Sequence, residues 1–152
     1  MATKKPNKPQ LALGYKMVLR VIARYRFITF NQLRAALGAM SYAQAKTMLF
    51  DLFRHGFVER LIVTKASRRI NFIQVFALSR HGAGQLVMES GLNRIFYIKA
   101  SDKRSTMFLE HTILINDFRI CLENAARATK AFHLESWKQT RQEVKVAINQ
   151  TL

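Results

Sequence analysis

The stretch TFNQLRAALGAMSYAQAKTMLFDLFRHG, residues 29–56, contains two helix starts and two helix stops in close succession. Both starts have the spacing of a capping box, formed by Thr29 with Gln32 and by Ser41 with Gln44. Both stops are glycines, which readily adopt the left-handed conformation that commonly ends a helix: Gly38 follows an apolar run, and Gly56 follows the cationic Arg54-His55. Two short capped helices joined by a glycine-containing turn predict a helix-turn-helix.

The flanking sequence predicts one helix before this stretch, and a hairpin and a helix after it. Before it, apolar residues recur at steps of three and four, which predicts an amphipathic helix: Met17, Val18, Val21, Ile22 and Tyr25. After it, FVERLIVTK and FIQVFALS flank the polar ASRRIN, which predicts a β-hairpin with a basic tip at residues 65–71. Ser79 is placed to cap the next helix. Three helices followed by a two-stranded hairpin give the order of a winged helix.

The C-terminal third predicts a long helix and two strands. Apolar residues at helical spacing run from Ser105 to Lys130, and this helix is a candidate dimer element. Residues 134–137 and 144–148 are predicted strands. The segment IFYIK, residues 95–99, is also strand-like.

These elements divide the chain into four expected parts. The fold class is α+β, a winged helix-turn-helix with a C-terminal long helix and a small α/β extension. The parts are a flexible basic arm at 1–10, the winged helix at 11–90, a linker at 91–104, and the C-terminal helix with its extension at 105–152.

Positive charge is concentrated in the first two thirds of the chain. Residues 1–104 carry 19 Lys or Arg against 4 Asp or Glu, whereas residues 105–152 carry 6 against 5. Such a surface favours a polyanion, because each cation that neutralises a phosphate releases condensed counterions. Double-stranded DNA is the leading expected partner. An acidic membrane surface comes second, and charge that only aids solubility is the remaining explanation.

The sequence favours a cytoplasmic protein without a membrane anchor. The N-terminal MATKKPNKPQ has lysines and prolines, but no apolar run follows that would serve as a signal peptide or membrane span. The single cysteine, Cys121, has no partner for an internal disulfide. It lies in the apolar run ILINDFRICL, where we expect it to act as a small hydrophobe.

The second helix of the helix-turn-helix carries one group of expected DNA contacts. Spacing that directs Ala45, Leu49 and Leu52 to the core puts Lys46 and Thr47 on the opposite face. In this motif the second helix enters the major groove, where Gln pairs with adenine, Thr meets polar or methyl edges, and Lys reaches guanine or phosphate. The expected contacts are Ser41, Tyr42, Gln44, Lys46, Thr47 and Arg54. The alternative is a polar face that is only solvated.

The hairpin tip carries the second group of expected contacts. It is rich in cations on a narrow projection, where Arg can enter a narrow minor groove or clamp phosphates: Lys65, Ser67, Arg68 and Arg69. Phe50 lies on the otherwise polar helix face, and we expect it to pack beneath this wing. Further arginines are expected to contact the DNA backbone or to remain solvated: Arg20, Arg24, Arg26 and Arg34.

The sequence predicts no catalytic site, no metal site and no cofactor. The four histidines are scattered, no His or Cys pair has metal-ligand spacing, and there is no glycine-rich phosphate loop. Polar residues on the long helix predict an internal hydrogen-bond network in preference to an acid–base site: Glu110, His111, Asn116, Asp117 and Arg119. Glu143-Val144-Lys145 is similar to the acid-x-lysine element of metal-dependent nucleases, but no second acidic pair accompanies it.

Three segments of the chain form a distinctive combination: LFRHGFVER, VFALSRHGAGQL and LEHTILINDFRICLENAAR, followed by Trp137 and Glu143. Together they resemble the replication-relaxation proteins of plasmids and mobile elements, over residues 16–143. The resemblance implies a DNA-binding winged helix that acts in plasmid replication, mobilisation or their control. Some longer relatives carry a restriction-endonuclease-like relaxase domain, with a Pro-Asp element after the Trp and Glu. Because residues 1–152 contain no such element, we expect no nicking by this chain.

The sequence therefore predicts sequence-specific binding of double-stranded DNA. Two alternatives stay open. In the first, the chain is the N-terminal part of a metal-dependent relaxase or nuclease, and Mg²⁺ or Mn²⁺ would produce nicks that disappear in Glu110→Ala. In the second, it is an adaptor for a replication or relaxase protein. A homodimer would place two recognition helices about one DNA turn apart.

Overall fold

The computed structural model of the protein describes residues 11–64, 72–138 and, for the backbone alone, 143–148. These residues form an α+β fold with five helices and two antiparallel two-stranded sheets. The helices are α1 Leu13–Tyr25, α2 Phe30–Leu37, α3 Tyr42–Arg54, α4 Arg80–Ser90 and α5 Thr106–Thr129. The strands are β1 Val58–Thr64, β2 Phe72–Leu78, β3 Phe132–Lys138 and β4 Glu143–Ile148. The predicted order of three helices, a hairpin and a fourth helix is confirmed.

The helix ends follow the predicted caps. Both capping boxes form, and the serines before α4 and α5 accept a backbone N–H from the first helical turn: Ser79 and Ser105. Gly38 and Gly91 end α2 and α4 in the left-handed region, with φ of 76° and 65°. Local side-chain chemistry therefore fixes where these helices begin and end.

One hydrophobic core joins the three N-terminal helices, β2 and α5. Its buried members come from all of these elements and include Leu19, Ile22, Leu33, Leu49, Phe76 and Ile120. Burying each such side chain stabilises the fold by about 1.5–3 kcal/mol. The long C-terminal helix therefore packs on the N-terminal elements.

The connection between α1 and α2 is tied to the hairpin. Ile28 and Phe76 exchange two backbone hydrogen bonds, at 2.9 and 2.8 Å, and form a bridge outside the named strands. Within the hairpin, β1 and β2 pair in register from Val58 opposite Leu78 to Thr64 opposite Phe72. The hairpin is thus held at its base by the helical part of the molecule.

Residues 91–105 contain no helix or strand, so the strand character expected for IFYIK is wrong. Ile98 is nonetheless buried, and its N–H donates to the Leu78 carbonyl at 2.9 Å. It lies in a second apolar cluster with Phe27, Val75 and Leu109. A single buried side chain anchors this segment, without the repeated backbone pairing that a strand requires.

The C-terminal hairpin agrees with the two predicted strands, with slightly wider bounds. β3 and β4 pair antiparallel, with an irregularity between Leu134 and Ser136. β3 lies beside α5, where the ring centres of Phe118 and Trp137 are 6.3 Å apart.

Candidate nucleic-acid interface

The turn between α2 and α3 is fixed by hydrogen bonds at both helix ends. The Gly38 N–H donates to the Arg34 carbonyl at 2.8 Å. The Ser41 hydroxyl accepts the Gln44 N–H at 3.1 Å, and the Ser41 N–H donates to Gln44 Oε1 at 2.9 Å. Because both caps are complete, the direction in which α3 leaves the turn is set by these side chains.

α3 buries one side and exposes the other. Ala45, Leu49 and Leu52 are at most 2% exposed. All six contacts predicted on this helix are exposed: Ser41, Tyr42, Gln44, Lys46, Thr47 and Arg54. The exposed face expected from the helical spacing is thus confirmed, whereas contact with DNA stays a prediction.

Four of the six residues also make contacts inside the protein: Ser41 and Gln44 in the capping box, Tyr42 with an aromatic ring, and Arg54 with Asp51. Gln44 Oε1 accepts the Ser41 N–H, so a bidentate pair with adenine, which needs the amide oxygen and nitrogen together, would compete with the cap. Tyr42 packs edge-on against Phe30, with ring centres 5.8 Å apart. By contrast, Lys46 and Thr47 make no side-chain hydrogen bond or ion pair within the described part of the chain. These two side chains are the most available to a ligand.

Arg54 lies at the opposite end of α3, about 15 Å along the helix axis from Gln44. Its side chain is 75% exposed, and its guanidinium is 3.8 Å from the Asp51 carboxylate. Asp51 also accepts the Tyr15 hydroxyl at 2.8 Å, and this hydrogen bond, followed by burial, raises the pKa of Tyr15. Arg54 is therefore separated from the other five predicted contacts, which lie at the N-terminal end of α3.

Phe50 is explained by packing against the hairpin. Its ring centre lies 5.8 Å from that of Phe30 and 6.1 Å from that of Phe76 on β2. The guanidinium of exposed Arg60 on β1 lies 5.9 Å from the Phe50 ring and 4.9 Å from the Phe53 ring. The sequence reasoning overlooked Arg60 as a cation beside α3, although a cation next to the apolar residues 61–63 was a signal.

The predicted wing contacts belong to the connection between β1 and β2. They are Lys65, Ser67, Arg68 and Arg69, and all lie within residues 65–71, outside the described residues, as does the predicted arm at 1–10. The register places the start of this connection after Thr64 and its end before Phe72.

Three of the four arginines expected to contact the DNA backbone have partners in the protein. Arg24 pairs with Glu123 at 2.9 Å, and Arg26 lies 5.0 Å from the ring centre of Phe96. Arg34 Nε donates to the Met40 carbonyl at 3.4 Å. Arg20 is exposed. Arg24 therefore has a structural role in the ion pair with Glu123, and its contact with DNA stays a prediction.

Three of the five residues expected in a hydrogen-bond network on α5 form one, with partners on α1, on α2 and in the connection between them: Asn116, Asp117 and Arg119. The Glu110 side chain makes no hydrogen bond within the described residues. Asn116 is fully buried, and its amide nitrogen donates to the Tyr25 and Phe27 carbonyls at 3.2 and 2.6 Å. Asp117 accepts Gln32 Nε2 at 2.7 Å. His111, which was expected in this network, is exposed and lines a cavity near the start of α5.

Arg119 and Glu123 continue this network. Arg119 donates to Glu123 at 2.9 Å and to the Arg24 carbonyl at 3.1 Å, and its guanidinium lies 5.4 Å from the Trp137 ring. Burial would raise the pKa of Glu123. Hydrogen bonds from Tyr25 and Arg119, together with the positive charges of Arg24 and Arg119, outweigh burial and lower the pKa. Burial, and then the hydrogen bond to Glu123, raise the pKa of Tyr25.

Cys121 differs from expectation, because it is exposed on α5 although its sequence neighbours are apolar. Its neighbour Ile120 occupies the core instead, since a helix turns 100° per residue. Within the residues that the structure describes, no three His, Cys, Asp or Glu side chains are grouped so that they could hold a metal ion. None of the described helices combines the length and apolar character needed to cross a membrane.

The chain belongs to the replication-relaxation family, whose sequence model matches residues 19–150. The resemblance seen in the sequence is therefore confirmed, and membership suggests a role in the replication or mobilisation of plasmids or mobile elements. Neither the curated proteins nor the solved structures contain a significant match to the chain.

Proposed function

We propose that the protein is a winged-helix protein that binds double-stranded DNA sequence-specifically, in the replication, mobilisation or transcriptional control of a plasmid or mobile element. α3 would be the recognition helix and the β1–β2 hairpin the wing. The observation that carries the proposal is the exposed face of α3, where Lys46 and Thr47 project from a helix whose other side is fully buried.

The surroundings of α3 support this assignment. Capping boxes and the left-handed Gly38 fix the turn that presents the helix, as a helix-turn-helix requires. Arg60 lies beside α3, and the basic sequence at 65–71 connects the two strands. The net charge of +16 adds long-range attraction to a polyanion.

Site selection followed by single substitutions tests the proposal. Purified protein should enrich a consensus from random duplexes, and Thr47→Ala should lower the preference for that consensus over a scrambled duplex. Lys46→Ala should weaken both duplexes about equally and reduce the salt slope of binding by about 1 if Lys46 contacts phosphate. Arg80→Ala, which removes an exposed charge from α4, is the matched control. An unenriched pool, together with parental affinity in both α3 variants, would overturn the proposal.

The wing is tested separately by Arg68→Ala combined with Arg69→Ala. We expect weaker duplex binding and a flatter salt dependence, because two phosphate or minor-groove cations are removed. If the double variant keeps the affinity of the parent and its salt dependence of duplex binding, the wing is excluded from the interface and α3 is left as the proposed contact. If a replication or relaxase protein co-purifies while DNA binding is undetectable at physiological salt, the adaptor function replaces the proposal.

We propose binding without strand cleavage for this chain. Supercoiled plasmid incubated with the protein and Mg²⁺ or Mn²⁺ should stay supercoiled. Nicks that appear with the parent and vanish in Glu110→Ala would establish the nuclease alternative.

We also propose that a homodimer forms through the outward face of α5. Exposed residues repeat there at steps of four and three: Met107, His111, Leu114, Phe118, Cys121 and Ala125. This is the spacing of a helix–helix seam. Its three large apolar side chains, Met107, Leu114 and Phe118, are 79%, 67% and 61% exposed, so this face carries apolar surface that a second copy would cover. Two copies of a strongly basic chain would meet here with least repulsion, because residues 105–152 are nearly neutral.

A further inference from the structure

A cationic and aromatic cavity lies between the end of α1, residues 91–105 and the first half of α5. Its volume is about 300 Å³. The lining combines three phenylalanine rings with three basic side chains: Phe27, Phe96, Phe108, Arg26, Arg104 and His111. No aspartate or glutamate occurs among the described residues that line it. The cavity is separate from the exposed face of α3.

Arg26 is held in a conformation that residues with a side chain avoid. Its φ is 67° and its ψ is −49°. The Phe27 N–H donates to the Tyr25 carbonyl at 2.8 Å, which closes a three-residue γ-turn around Arg26. Such strained positions persist only when the surroundings determine them, and they concentrate at ligand sites. A glycine would adopt this turn without strain, yet the chain has arginine here.

The turn is pinned from α5. Asn116, which is fully buried, donates to the carbonyls on both sides of Arg26, those of Tyr25 and Phe27. Arg119 donates to the Arg24 carbonyl at 3.1 Å. Two buried side chains of α5 therefore hold the backbone that directs Arg26 towards the cavity.

The two arginines are placed over rings. The Arg26 guanidinium lies 5.0 Å from the Phe96 ring centre, and that of Arg104 lies 5.7 Å from the Phe108 ring centre. Phe27 meets both rings edge-on, at 5.6 and 5.7 Å. Within the described part of the chain neither guanidinium has a hydrogen bond or a carboxylate partner. A guanidinium stacked on a ring keeps its in-plane N–H donors available for a phosphate.

We propose that this cavity binds one nucleotide unit, with the base against the phenylalanine rings and the phosphate between Arg26 and Arg104. Aromatic rings combined with cations are the chemistry that recognises unpaired nucleotides, because a base inside a duplex does not expose its face. The volume is at the lower end of the roughly 300–1,000 Å³ of small-molecule sites, which suits a single unit. A free nucleotide and a single strand offer the same chemistry. The inference rests on the proposed function only in taking the strand to be DNA.

Arg26→Gly separates binding from structure. Glycine accepts the positive φ, so the variant should melt no lower than the parent while losing the cation that binds phosphate. A purely structural Arg26 would give the opposite result, a lower melting temperature with parental binding. Arg104→Ala removes the second cation, and because Arg104 lies outside any helix or strand the change should not disturb an element. Arg80→Ala removes the same charge from α4, and Arg80 does not line the cavity.

The measurement is fluorescence anisotropy of labelled single-stranded decamers, with a labelled duplex in parallel. We expect Arg26→Gly and Arg104→Ala each to weaken single-strand binding at least tenfold and to change duplex binding less than twofold, with Arg80→Ala within twofold of the parent for both. Lys46→Ala should weaken duplex binding and leave single-strand binding unchanged, so failure of the duplex proposal and failure of this one are distinguishable.

Displacement of the decamer by millimolar deoxynucleoside monophosphate would show that free nucleotides also bind in the cavity. If the monophosphate does not displace the decamer, and only Arg26→Gly and Arg104→Ala lose single-strand binding, the site binds a strand and not a free nucleotide. Absent single-strand binding by the parent, or equal losses on single strand and duplex, would overturn the proposal.

Discussion

Single polar side chains, of which Asn116 is fully buried, connect parts of the chain that are far apart in sequence. Asn116 on α5 donates a hydrogen bond to the backbone just after α1, and Asp117 accepts one from Gln32 on α2. The Tyr25 hydroxyl on α1 donates to Glu123 on α5. Helical spacing on α5 was enough to predict that Asn116, Asp117 and Arg119 take part in a network. Their partners were not predictable, because they lie about 90 residues away and no local pattern specifies such a pairing. The exposure of Cys121 escaped prediction for a related reason, since an apolar run does not show which side of a helix is covered.

The contact of Gly82 with the backbone gives a prediction for stability. A Cβ at Gly82 would lie 2.0 Å from the Phe57 carbonyl oxygen, whereas a Cβ at Gly84 would meet nothing within 4 Å. Overpacking against backbone cannot relax by a rotamer change, so Gly82→Ala should lower the free energy of unfolding by about 3 kcal/mol or more. Gly84→Ala in the same helix should raise it by roughly 0.5–1 kcal/mol. Denaturant unfolding of both variants measures this, and similar effects at the two positions would show that α4 does not pack on Phe57 as described.

The pKa of Glu123 makes stability depend on pH. Its pKa is lowered from the usual 4.5, so the folded state holds the carboxylate charged more readily than the unfolded state does. Its contribution is therefore present above about pH 4.5 and is lost as the pH falls through the lower folded value. Glu123→Gln should flatten the decline of the unfolding free energy between pH 6 and pH 3. An unchanged pH profile in the variant would contradict the described ion pairs.

The pKa of Tyr25 makes stability depend on pH in the alkaline range. Its pKa is raised from 10.0, so its contribution is present below pH 10 and is lost as the pH rises above it. Tyr25→Phe should remove this alkaline decline in denaturant unfolding measured up to pH 11. Tyr15→Phe would not be a neutral control, because the pKa of Tyr15 is raised as well.

At the scale of helices and strands, local signals predicted boundaries well. The capping boxes and the glycine stops act within three or four residues, and each predicted cap is in place. The expected packing of Phe50 against the hairpin is confirmed by its contact with Phe76 on β2, although the helix pattern did not specify which ring it would meet. The segment IFYIK had the composition of a strand, but it pairs with the Leu78 carbonyl only through Ile98.

The first turn of α3 serves both folding and the proposed DNA contact, and two substitutions separate these roles. Ser41→Ala removes the acceptor of the Gln44 N–H and should cost about 1 kcal/mol of stability. Gln44→Glu keeps an acceptor for the Ser41 N–H, so the unfolding free energy should stay within about 0.5 kcal/mol of the parent. The added negative charge should weaken duplex binding at least fivefold. Denaturation and duplex titration of both variants measure this, and parental DNA affinity in Gln44→Glu would place the start of α3 outside the interface.

At the scale of the whole molecule, the order of elements predicted the fold class, and the charge distribution predicted a polyanionic partner. The α+β class and the family were accessible from the sequence, because the caps, the strand composition and the helical spacing on α5 are all local features of the sequence. The cavity around Arg26 was not accessible. It brings together residues from α1, the irregular segment 91–105 and α5, and the strained turn at Arg26 has no signal in residue type.

The proposed dimer is tested by charge substitution on α5. Leu114→Arg should convert a dimer to a monomer in sedimentation analysis, because a buried unpaired cation at a two-fold seam is repeated in both copies. Met88→Arg on α4 is the matched control, since Met88 is 82% exposed and lies off α5. If the parent is already monomeric at tens of micromolar concentration, the dimer proposal is wrong.

The pinning of the Arg26 turn by Asn116 also has a consequence for how the protein is made. The ribosome completes the turn about 90 residues before it adds the side chain that holds it, and domains generally fold from the N-terminus as they emerge. The nascent helices and first hairpin can therefore assemble the surface of α3 while Arg26 is still free to leave its strained conformation. The cavity is completed only when α5 docks, so duplex binding should appear earlier than the nucleotide site in a series of stalled nascent chains.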